Sequence, residues 1–259
     1  MKNLPPRHDA VIHGQKLAYR LAPGDGVTMV LINGAGGPME GWFRLFPDIT
    51  RSGTVFAYDR PGVGASPQPT SAQTGAQVVE TLRSLLKTAE LTPPYLLVAH
   101  SFGGLHANLF ARRHPDEVLG LVLIEPTTPE DVTALKPLQS SAQRFVNGLL
   151  NRLSPANPMG EIAQELETVR EVATAGPFPN RPLVVIAGGK PPKDWQARSE
   201  AQVLRRQHLE SLSRLSPQGS LVLAANSGHF PQISEPDVVL EAIATLSARL
   251  APSHAEEKA

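Results

Sequence analysis

The chain of 259 residues contains no cysteine and has no excess of charge of either sign. The absence of cysteine excludes disulfide bonds and thiolate-bound metal sites, although it leaves the compartment open. Lysine and arginine together number 24, as do aspartate and glutamate, so the formal net charge is zero. Nucleic acid is therefore not expected as a partner, because phosphate binding requires a concentrated basic face.

Long apolar runs are also absent. No apolar run approaches the length that spans a membrane, and the first nine residues lack the apolar core of a signal peptide. The sequence therefore predicts a soluble cytoplasmic protein with no membrane partner. The length suits one large α/β domain, or such a domain with a small insertion, and is enough to bury a sizeable core.

The sequence does contain a regular alternation of short apolar runs and helical patterns. Continuous apolar runs predict strands that are buried on both faces, as in a parallel sheet. These runs are 27–32, 54–58, 96–99, 119–124, 183–187 and 220–224, preceded by a predicted hairpin of 10–12 and 15–21. Helical patterns lie at 75–90, 102–113, 195–215 and 236–250. The alternation predicts an α/β fold with a doubly wound, mostly parallel sheet.

One interval, 126–181, has no strand pattern. It carries helical patterns at 138–153 and 158–173, and Asn157 before Pro158 suits a helix N-cap followed by a first turn. We therefore predict a small helical lid there, which we expect to contact the substrate, and its many apolar residues favour an apolar substrate. The predicted division of the chain is a core of 1–125 and 182–259 with a lid of 126–181.

A serine flanked by small residues follows the third apolar run. Ser101 has Ala99 two positions before it and Gly103 two positions after it, and a helical pattern follows. A strand–turn–helix of this kind needs small residues at those positions, because the turn is tight, and it pushes the serine hydroxyl out of the sheet edge. The pattern predicts that Ser101 is a nucleophile.

A serine alcohol needs a base to accept its proton and an acid to orient that base. His229 lies in the loop after the last predicted strand, where Gly228 gives the backbone freedom, and it follows Ser101 in the expected chain order. We predict that His229 is the base. His100 also flanks the serine, but we expect it to point away from the working face and to serve packing.

Two carboxylates compete for the role of the acid. Glu125 ends the fourth run, where a buried acid is costly without a partner and where open parallel sheets place their sites. Asp194 lies several residues past its strand and directly before a helical pattern, which is typical of an N-cap. We favour Glu125 and keep Asp194 as the rival.

Acyl transfer also needs backbone donors for the oxyanion. One is expected to be the amide of Phe102, and the other the amide of Ala35 in the glycine-rich turn 33–37. An ordinary turn would also explain these glycines, but a dinucleotide fingerprint would need a further glycine where Met39 stands. No cofactor and no metal are predicted, since cysteine and the paired histidines of zinc enzymes are missing.

Four segments of the chain resemble motifs of the α/β-hydrolase superfamily and occur in the order that is typical of that family. They are Asn33-Gly-Ala-Gly-Gly, Tyr58-Asp-Arg-Pro-Gly-Val-Gly-Ala-Ser66, Ala99-His-Ser-Phe-Gly-Gly104 and Ser227-Gly-His-Phe230. The resemblance implies an eight-stranded, mostly parallel sheet with a helical cap. It also implies a triad of Ser101, His229 and either Glu125 or Asp194.

The chain departs from the family pattern at three places. Ala99 replaces the first glycine of the nucleophile turn, and Asn33 stands where many members have histidine. The aspartate that usually follows the penultimate strand is missing, because Gly188-Gly189-Lys190-Pro191 occupies its place. Some members of the superfamily carry their acid one strand earlier, and Glu125 fits that arrangement.

The predicted function is therefore a serine hydrolase that cleaves carboxylic esters through an acyl-enzyme on Ser101. The same triad could serve amide, lactone or C–C bond hydrolysis, or perhydrolase or lyase chemistry, since a fold does not fix a reaction. A non-catalytic ligand-binding protein of the same fold is an alternative of a different class. The sequence therefore predicts a small-molecule partner, an apolar ester.

Overall fold

An eight-stranded sheet forms the centre of the structure, a computed structural model that describes residues 4–134, 157–190 and 199–250. The strands are β1 (Arg7–Ile12), β2 (Gln15–Ala22), β3 (Thr28–Ile32), β4 (Val55–Tyr58), β5 (Tyr95–His100), β6 (Val118–Ile124), β7 (Leu183–Gly188) and β8 (Gly219–Ala224). Their spatial order is β1-β2-β4-β3-β5-β6-β7-β8. Strand β2 is antiparallel to both of its neighbours, and the other adjacent pairs are parallel. The predicted doubly wound, mostly parallel sheet is confirmed.

Helices cover both faces of this sheet. They are α1 (Phe46–Ile49), α2 (Gly75–Thr88), α3 (Gly103–Arg113), α4 (Pro129–Ala134), α5 (Glu165–Thr174), α6 (Ser199–Ser213), α7 (Pro231–Ser234) and α8 (Pro236–Leu250). The start of α2 shows why such a segment is helical. The Thr74 hydroxyl accepts a hydrogen bond from the Gln77 amide at 3.3 Å, and apolar residues at helical spacing then bury one face of the helix.

The core consists of two apolar layers, one on each face of the sheet. Strand β5 contributes to both, because successive side chains along a strand point to opposite faces. Leu97 and Ala99 pack in the layer that also holds α2, α3 and α6. Leu96 and Val98 pack in the layer that holds α1 and α8. This burial on both faces explains why the strands read as continuous apolar runs.

The segment between β6 and β7 differs from the expectation. The predicted helix over 158–173 begins only at Glu165, and residues 158–164 form turns. The Asn157 side chain accepts a hydrogen bond from the Met159 amide at 2.9 Å, so it begins a turn and does not cap a helix. The predicted helix over 138–153 lies outside the described residues. The division into core and lid stays a prediction.

The helical pattern at 195–215 is present as α6 over its described part. Its first residues lie outside the described ranges. None of the helices in the three described ranges is long and apolar enough to cross a membrane.

Side chains of the central strands are buried on both faces of the sheet. Shortening one of them should therefore leave a cavity and lower the stability of the fold. We expect Leu97→Ala, at a fully buried site in β5, to lower the free energy of unfolding by about 2–5 kcal/mol. Leu223→Ala, a matched change in the edge strand β8 where the side chain is 47% exposed, should cost less than about 1 kcal/mol. Urea unfolding followed by circular dichroism measures both. Equal losses in the two variants would contradict this account of the core.

Candidate active site

Ser101 lies at the turn between β5 and α3, with a backbone φ of +51°. Residues other than glycine rarely adopt this left-handed conformation, and it persists only where the surrounding structure holds it. The Ser101 amide donates to the Ile124 carbonyl at 3.0 Å, and its carbonyl accepts from the amides of Gly104 and Thr127, each at 2.9 Å. Gly103 has to be small, because a Cβ there would lie 2.5 Å from two carbonyl oxygens of the chain at 32–33.

His229 lies in the loop between β8 and α7 and reaches the serine. Its Nε2 is 3.0 Å from the Ser101 Oγ, which is hydrogen-bonding distance for proton transfer from the hydroxyl. Its Nδ1 faces Glu125, and the distance from this nitrogen to the nearer carboxylate oxygen is 3.7 Å. The structure therefore brings together the three residues that we favour from the sequence, in the order serine, histidine, carboxylate.

The Glu125 carboxylate is held by the end of the neighbouring strand. Glu125 directly follows β6 and has a backbone φ of +43°. Its amide donates to the Ile186 carbonyl at 2.8 Å, and its Oε1 accepts from the Gly188 amide at 2.6 Å. The carboxylate is thus fixed by backbone contacts to β7 on one side while its other oxygen faces His229.

Glu125 also contacts a cation from α6. Arg205 Nη2 lies 3.3 Å from Glu125 Oε2 and donates to the Pro126 carbonyl at 2.8 Å, while its Nη1 contacts Asp131. Burial on its own would raise the pKa of Glu125, but His229 and Arg205 lower the pKa to about 2. The carboxylate is therefore ionised at neutral pH, as a group that orients and stabilises a protonated imidazole must be.

The end of β7 leaves no room for the aspartate that the family pattern usually has there. A Cβ on Gly188 would clash with the Gly228 carbonyl, and one on Gly189 would lie 2.8 Å from the Ala225 Cα. The glycine pair thus allows the loop that carries the base to pack closely on β7. The rival acid Asp194 lies outside the described residues.

His100 packs against the loop that carries His229, in agreement with the packing role predicted for it, and it also binds the backbone of that loop. Its Nε2 donates to the His229 carbonyl at 2.8 Å, and its ring lies 5.0 Å from the ring of His229 and 5.2 Å from that of Phe230. Burial lowers the pKa of His100 to about 3, so the ring is neutral with its proton on Nε2. Its position one residue before the serine is the signal that could have indicated this role.

The two predicted oxyanion donors lie beside Ser101. The turn 33–37 is closed by the Gly37 amide, which donates to the Gly34 carbonyl at 3.1 Å, and Gly36 supplies the positive φ of 63°. A Cβ on Gly34 would lie 3.1 Å from the Ser101 Cβ, so the turn touches the serine. Within the described residues, the amides of Ala35 and Phe102 donate to no protein acceptor.

The side chains of Ala35 and Phe102 belong to one apolar cluster. Phe102 and Leu105 of the serine turn and α3 pack with Val132 and Val169 of the β6–β7 segment, and Ala35 packs against them. In the part of the chain that the structure describes, no three histidine, aspartate or glutamate side chains are placed to hold a metal ion. The arrangement brings a serine hydroxyl, an imidazole, a carboxylate and two amide donors together beside a buried apolar cluster.

Known proteins identify the family. A family model described as alpha/beta hydrolase fold matches residues 27–154. The chain is also 32% identical over 218 residues to the uncharacterized protein YqjL of Bacillus subtilis (strain 168), a match that covers 84% of this chain and 82% of the relative. The chain belongs to the α/β-hydrolase fold family. Both the recognised family and the predicted fold are thereby confirmed.

Solved structures of α/β-hydrolase proteins have the same fold. A thermophilic esterase from Thermogutta terrifontis is 20% identical and superposes with a TM-score of 0.69, over 95% of this chain and 99% of the esterase. An enol-lactonase from Burkholderia xenovorans LB400 is 19% identical with a TM-score of 0.63, over 92% of this chain and 99% of the lactonase. At these identities the likeness shows the fold.

The low pKa of His100 predicts a pH dependence of stability. The unfolded chain takes up a proton near pH 6.5 and the folded protein only near pH 3, so the stabilisation is complete above pH 6.5 and falls as the pH drops towards 3. Between pH 7 and pH 5, we expect the free energy of unfolding to fall by about 2 kcal/mol more in the wild type than in His100→Gln. Urea unfolding at both pH values measures this.

His8→Gln, at an exposed histidine, serves as the control and should keep the pH dependence of the wild type. An equal change in the free energy of unfolding in the wild type and in His100→Gln would show that folding does not lower the pKa of His100.

Proposed function

We propose that this protein is a serine hydrolase that cleaves carboxylic esters through an acyl-enzyme on Ser101. The observation that carries the proposal is the 3.0 Å contact between Ser101 Oγ and His229 Nε2, with the Glu125 carboxylate behind the histidine. Membership of the α/β-hydrolase family and structural neighbours described as an esterase and a lactonase support a hydrolase.

In the first half-reaction, the Ser101 Oγ attacks the ester carbonyl carbon while His229 Nε2 accepts the hydroxyl proton. The anionic Glu125 stabilises the imidazolium that forms, because opposite charges attract strongly in a buried site. The negative oxygen of the tetrahedral intermediate accepts hydrogen bonds from the amides of Ala35 and Phe102, neither of which donates to a protein acceptor in the described ranges. The intermediate then collapses, and the alcohol leaves with the proton from His229.

In the second half-reaction, water replaces the alcohol. His229 takes a proton from the water, the oxygen attacks the acyl carbon, and the same two amides bind the oxyanion again. The carboxylic acid leaves, and Ser101 recovers its proton from His229. The apolar cluster around Phe102 and Leu105 supports an ester with an apolar acyl or alcohol part, held in part by the predicted lid at 126–181.

Lactone hydrolysis is the second candidate. It uses the same nucleophile, base and oxyanion donors on a cyclic ester, and a structural neighbour described as an enol-lactonase favours it. A panel of p-nitrophenyl esters of graded chain length, with a lactone and an amide included, distinguishes these substrate classes. The cytoplasmic location and the absence of nucleic-acid and membrane partners stay predictions from the sequence.

Replacement of the nucleophile tests the reaction. We expect Ser101→Ala to lower kcat for p-nitrophenyl ester hydrolysis by about 10⁴-fold or more, since the residue forms the covalent intermediate. Ser71→Ala, at an exposed serine before α2, should keep the wild-type rate. A fluorophosphonate should label the wild type and not Ser101→Ala. A wild type that forms no adduct at Ser101 and hydrolyses nothing in the panel would favour a ligand-binding protein of this fold.

Replacement of the carboxylates tests the assignment of the acid. We expect Glu125→Gln to lower kcat by about 10³- to 10⁴-fold, because a neutral amide no longer stabilises the imidazolium. Asp194→Asn should change kcat by less than about twofold if its side chain caps a helix. Steady-state kinetics on protein with wild-type circular dichroism measures both. The opposite ranking would assign the acid to Asp194.

A further inference from the structure

The β6–β7 segment places a buried carboxylate against the core. Glu161 is 6% exposed and lies in the turns before α5, and Arg60, 1% exposed, lies just after β4. The Arg60 Nε contacts Glu161 Oε2, and the Arg60 Nη2 lies 3.1 Å from Glu161 Oε1. Removing two charges from water is costly unless their remaining hydrogen-bonding groups are satisfied, so the other contacts of this pair show what it does.

Those other contacts go to the turn 33–37. Arg60 Nη1 donates to the Asn33 carbonyl at 2.8 Å, and Nη2 donates to the Gly34 carbonyl at 2.7 Å. Glu161 Oε1 accepts from the Gly36 amide at 3.0 Å. Three backbone groups on the two sides of Ala35 are thus bound by one buried ion pair, whereas the Ala35 amide itself has no protein acceptor in the described part of the chain.

Peptide geometry makes these contacts decisive for the Ala35 amide. The Gly34 carbonyl and the Ala35 N–H belong to one planar peptide unit, and in a trans peptide they point in opposite directions. Arg60 holds the carbonyl, so it also fixes the direction of the N–H. Glu161 holds the next peptide unit through the Gly36 amide, so the unit of Ala35 is restrained from both sides.

We propose that Arg60 and Glu161 are positioning residues that orient the Ala35 amide towards the oxyanion. Through Glu161, the position of the β6–β7 segment on the core thereby affects the geometry of the oxyanion hole. This inference rests on the proposed serine-hydrolase function, which supplies the oxyanion. The pair touches neither the substrate nor the reacting atoms. It acts through the backbone of the turn.

The contact surface around the pair is incompletely filled. A cavity of about 310 Å³ lies between the turn after β4 and residues 157–163, with Gly36, Val63 and Ile162 among its lining residues. At residues 157–163, where this cavity lies, directional bonds hold the segment on the core. They include the bonds of Glu161 and the hydrogen bond from the Gln73 amide to the Met159 carbonyl at 2.8 Å.

A histidine of α3 completes the surroundings of the pair. His106 is buried and its Nε2 lies 3.7 Å from Glu161 Oε2. Burial lowers the pKa of His106, while Arg60 and His106 outweigh the burial of Glu161 and hold the pKa of that carboxyl well below its usual range. The cluster is therefore one cation and one anion beside a neutral ring, and the negative charge needed to hold the Gly36 amide persists through the neutral range.

Two variants remove the buried pair of Arg60 and Glu161, which we call the clamp, in different ways. Glu161→Met removes both carboxylate oxygens, so the Gly36 amide loses its acceptor and the Arg60 charge is left unpaired. The double change Arg60→Met with Glu161→Met removes both charges at similar volume, a replacement that proteins often tolerate without loss of stability. Glu167→Met, in the exposed pair of Glu167 with Arg170 on α5, is the matched control for loss of a glutamate in the same segment.

In both clamp variants we expect kcat to fall by about 10- to 100-fold, because a donor to the oxyanion is misdirected, while KM changes by less than about twofold. Binding of a trifluoromethyl ketone, which forms an oxyanion on Ser101, should weaken by a similar factor. The control should have the kcat, the KM and the affinity for the trifluoromethyl ketone of the wild type. A variant that merely loosens the fold would lower the unfolding midpoint without this split between kcat and KM.

Hydrogen exchange of the wild type gives a readout that needs no variant and no turnover. The Gly36 amide should exchange on the order of 100-fold more slowly than an unstructured amide, because its acceptor is a buried carboxylate. Exchange at the unstructured rate would overturn the inference, as would wild-type kcat in a folded clamp variant that still depends on Ser101. Absence of Ser101-dependent turnover in the wild type would contradict the proposed function instead, while slow exchange at Gly36 would still support the clamp.

Discussion

Hydrogen bonding that continues beyond the ends of the central strands sets the position of the candidate site. The Ser101 amide still pairs with the Ile124 carbonyl of β6, and the Glu125 amide still pairs with the Ile186 carbonyl of β7. Ser101 directly follows β5 and Glu125 directly follows β6, and both have positive φ angles. The sheet therefore holds two strained residues side by side, each turned away from the path of its own strand. The proposed nucleophile and its proposed acid are thus placed by the same ladder that forms the core.

The proposed base comes from a different part of the chain. His229 lies in the loop after β8, and its side chain is 39% exposed. Its backbone is bound by the Nε2 of His100, a residue at the end of β5, so the strand that leads to Ser101 also anchors the loop of His229. Because the His100 ring is neutral, it can hold the carbonyl of His229 without placing a second positive charge beside the imidazolium.

The strands and the turn at Ser101 could be predicted from the sequence, because the patterns that indicate them lie within short stretches of the chain. Burial on both faces produces the apolar runs, and Ser101 lies between small residues whose size the turn requires. The partners that were missed are remote: Glu161 is 101 residues from Arg60, and Arg205 is 80 residues from Glu125. No periodicity marks such pairs. The helix predicted from 158 began late, because a local side-chain bond of Asn157 competes with the helical backbone pattern.

The departure at Asn33 from the family pattern is explained by the same contacts. The Asn33 side chain donates to the Pro38 carbonyl at 2.6 Å, which closes the turn from within, and its own carbonyl accepts from Arg60. The turn at this position is thus held by a local side-chain bond and by the buried ion pair of Arg60 and Glu161. A short amide that bonds locally fits the turn while Arg60 keeps its carboxylate. Since that carboxylate comes from the β6–β7 segment, the tolerance for asparagine at 33 depends on a contact made more than a hundred residues away.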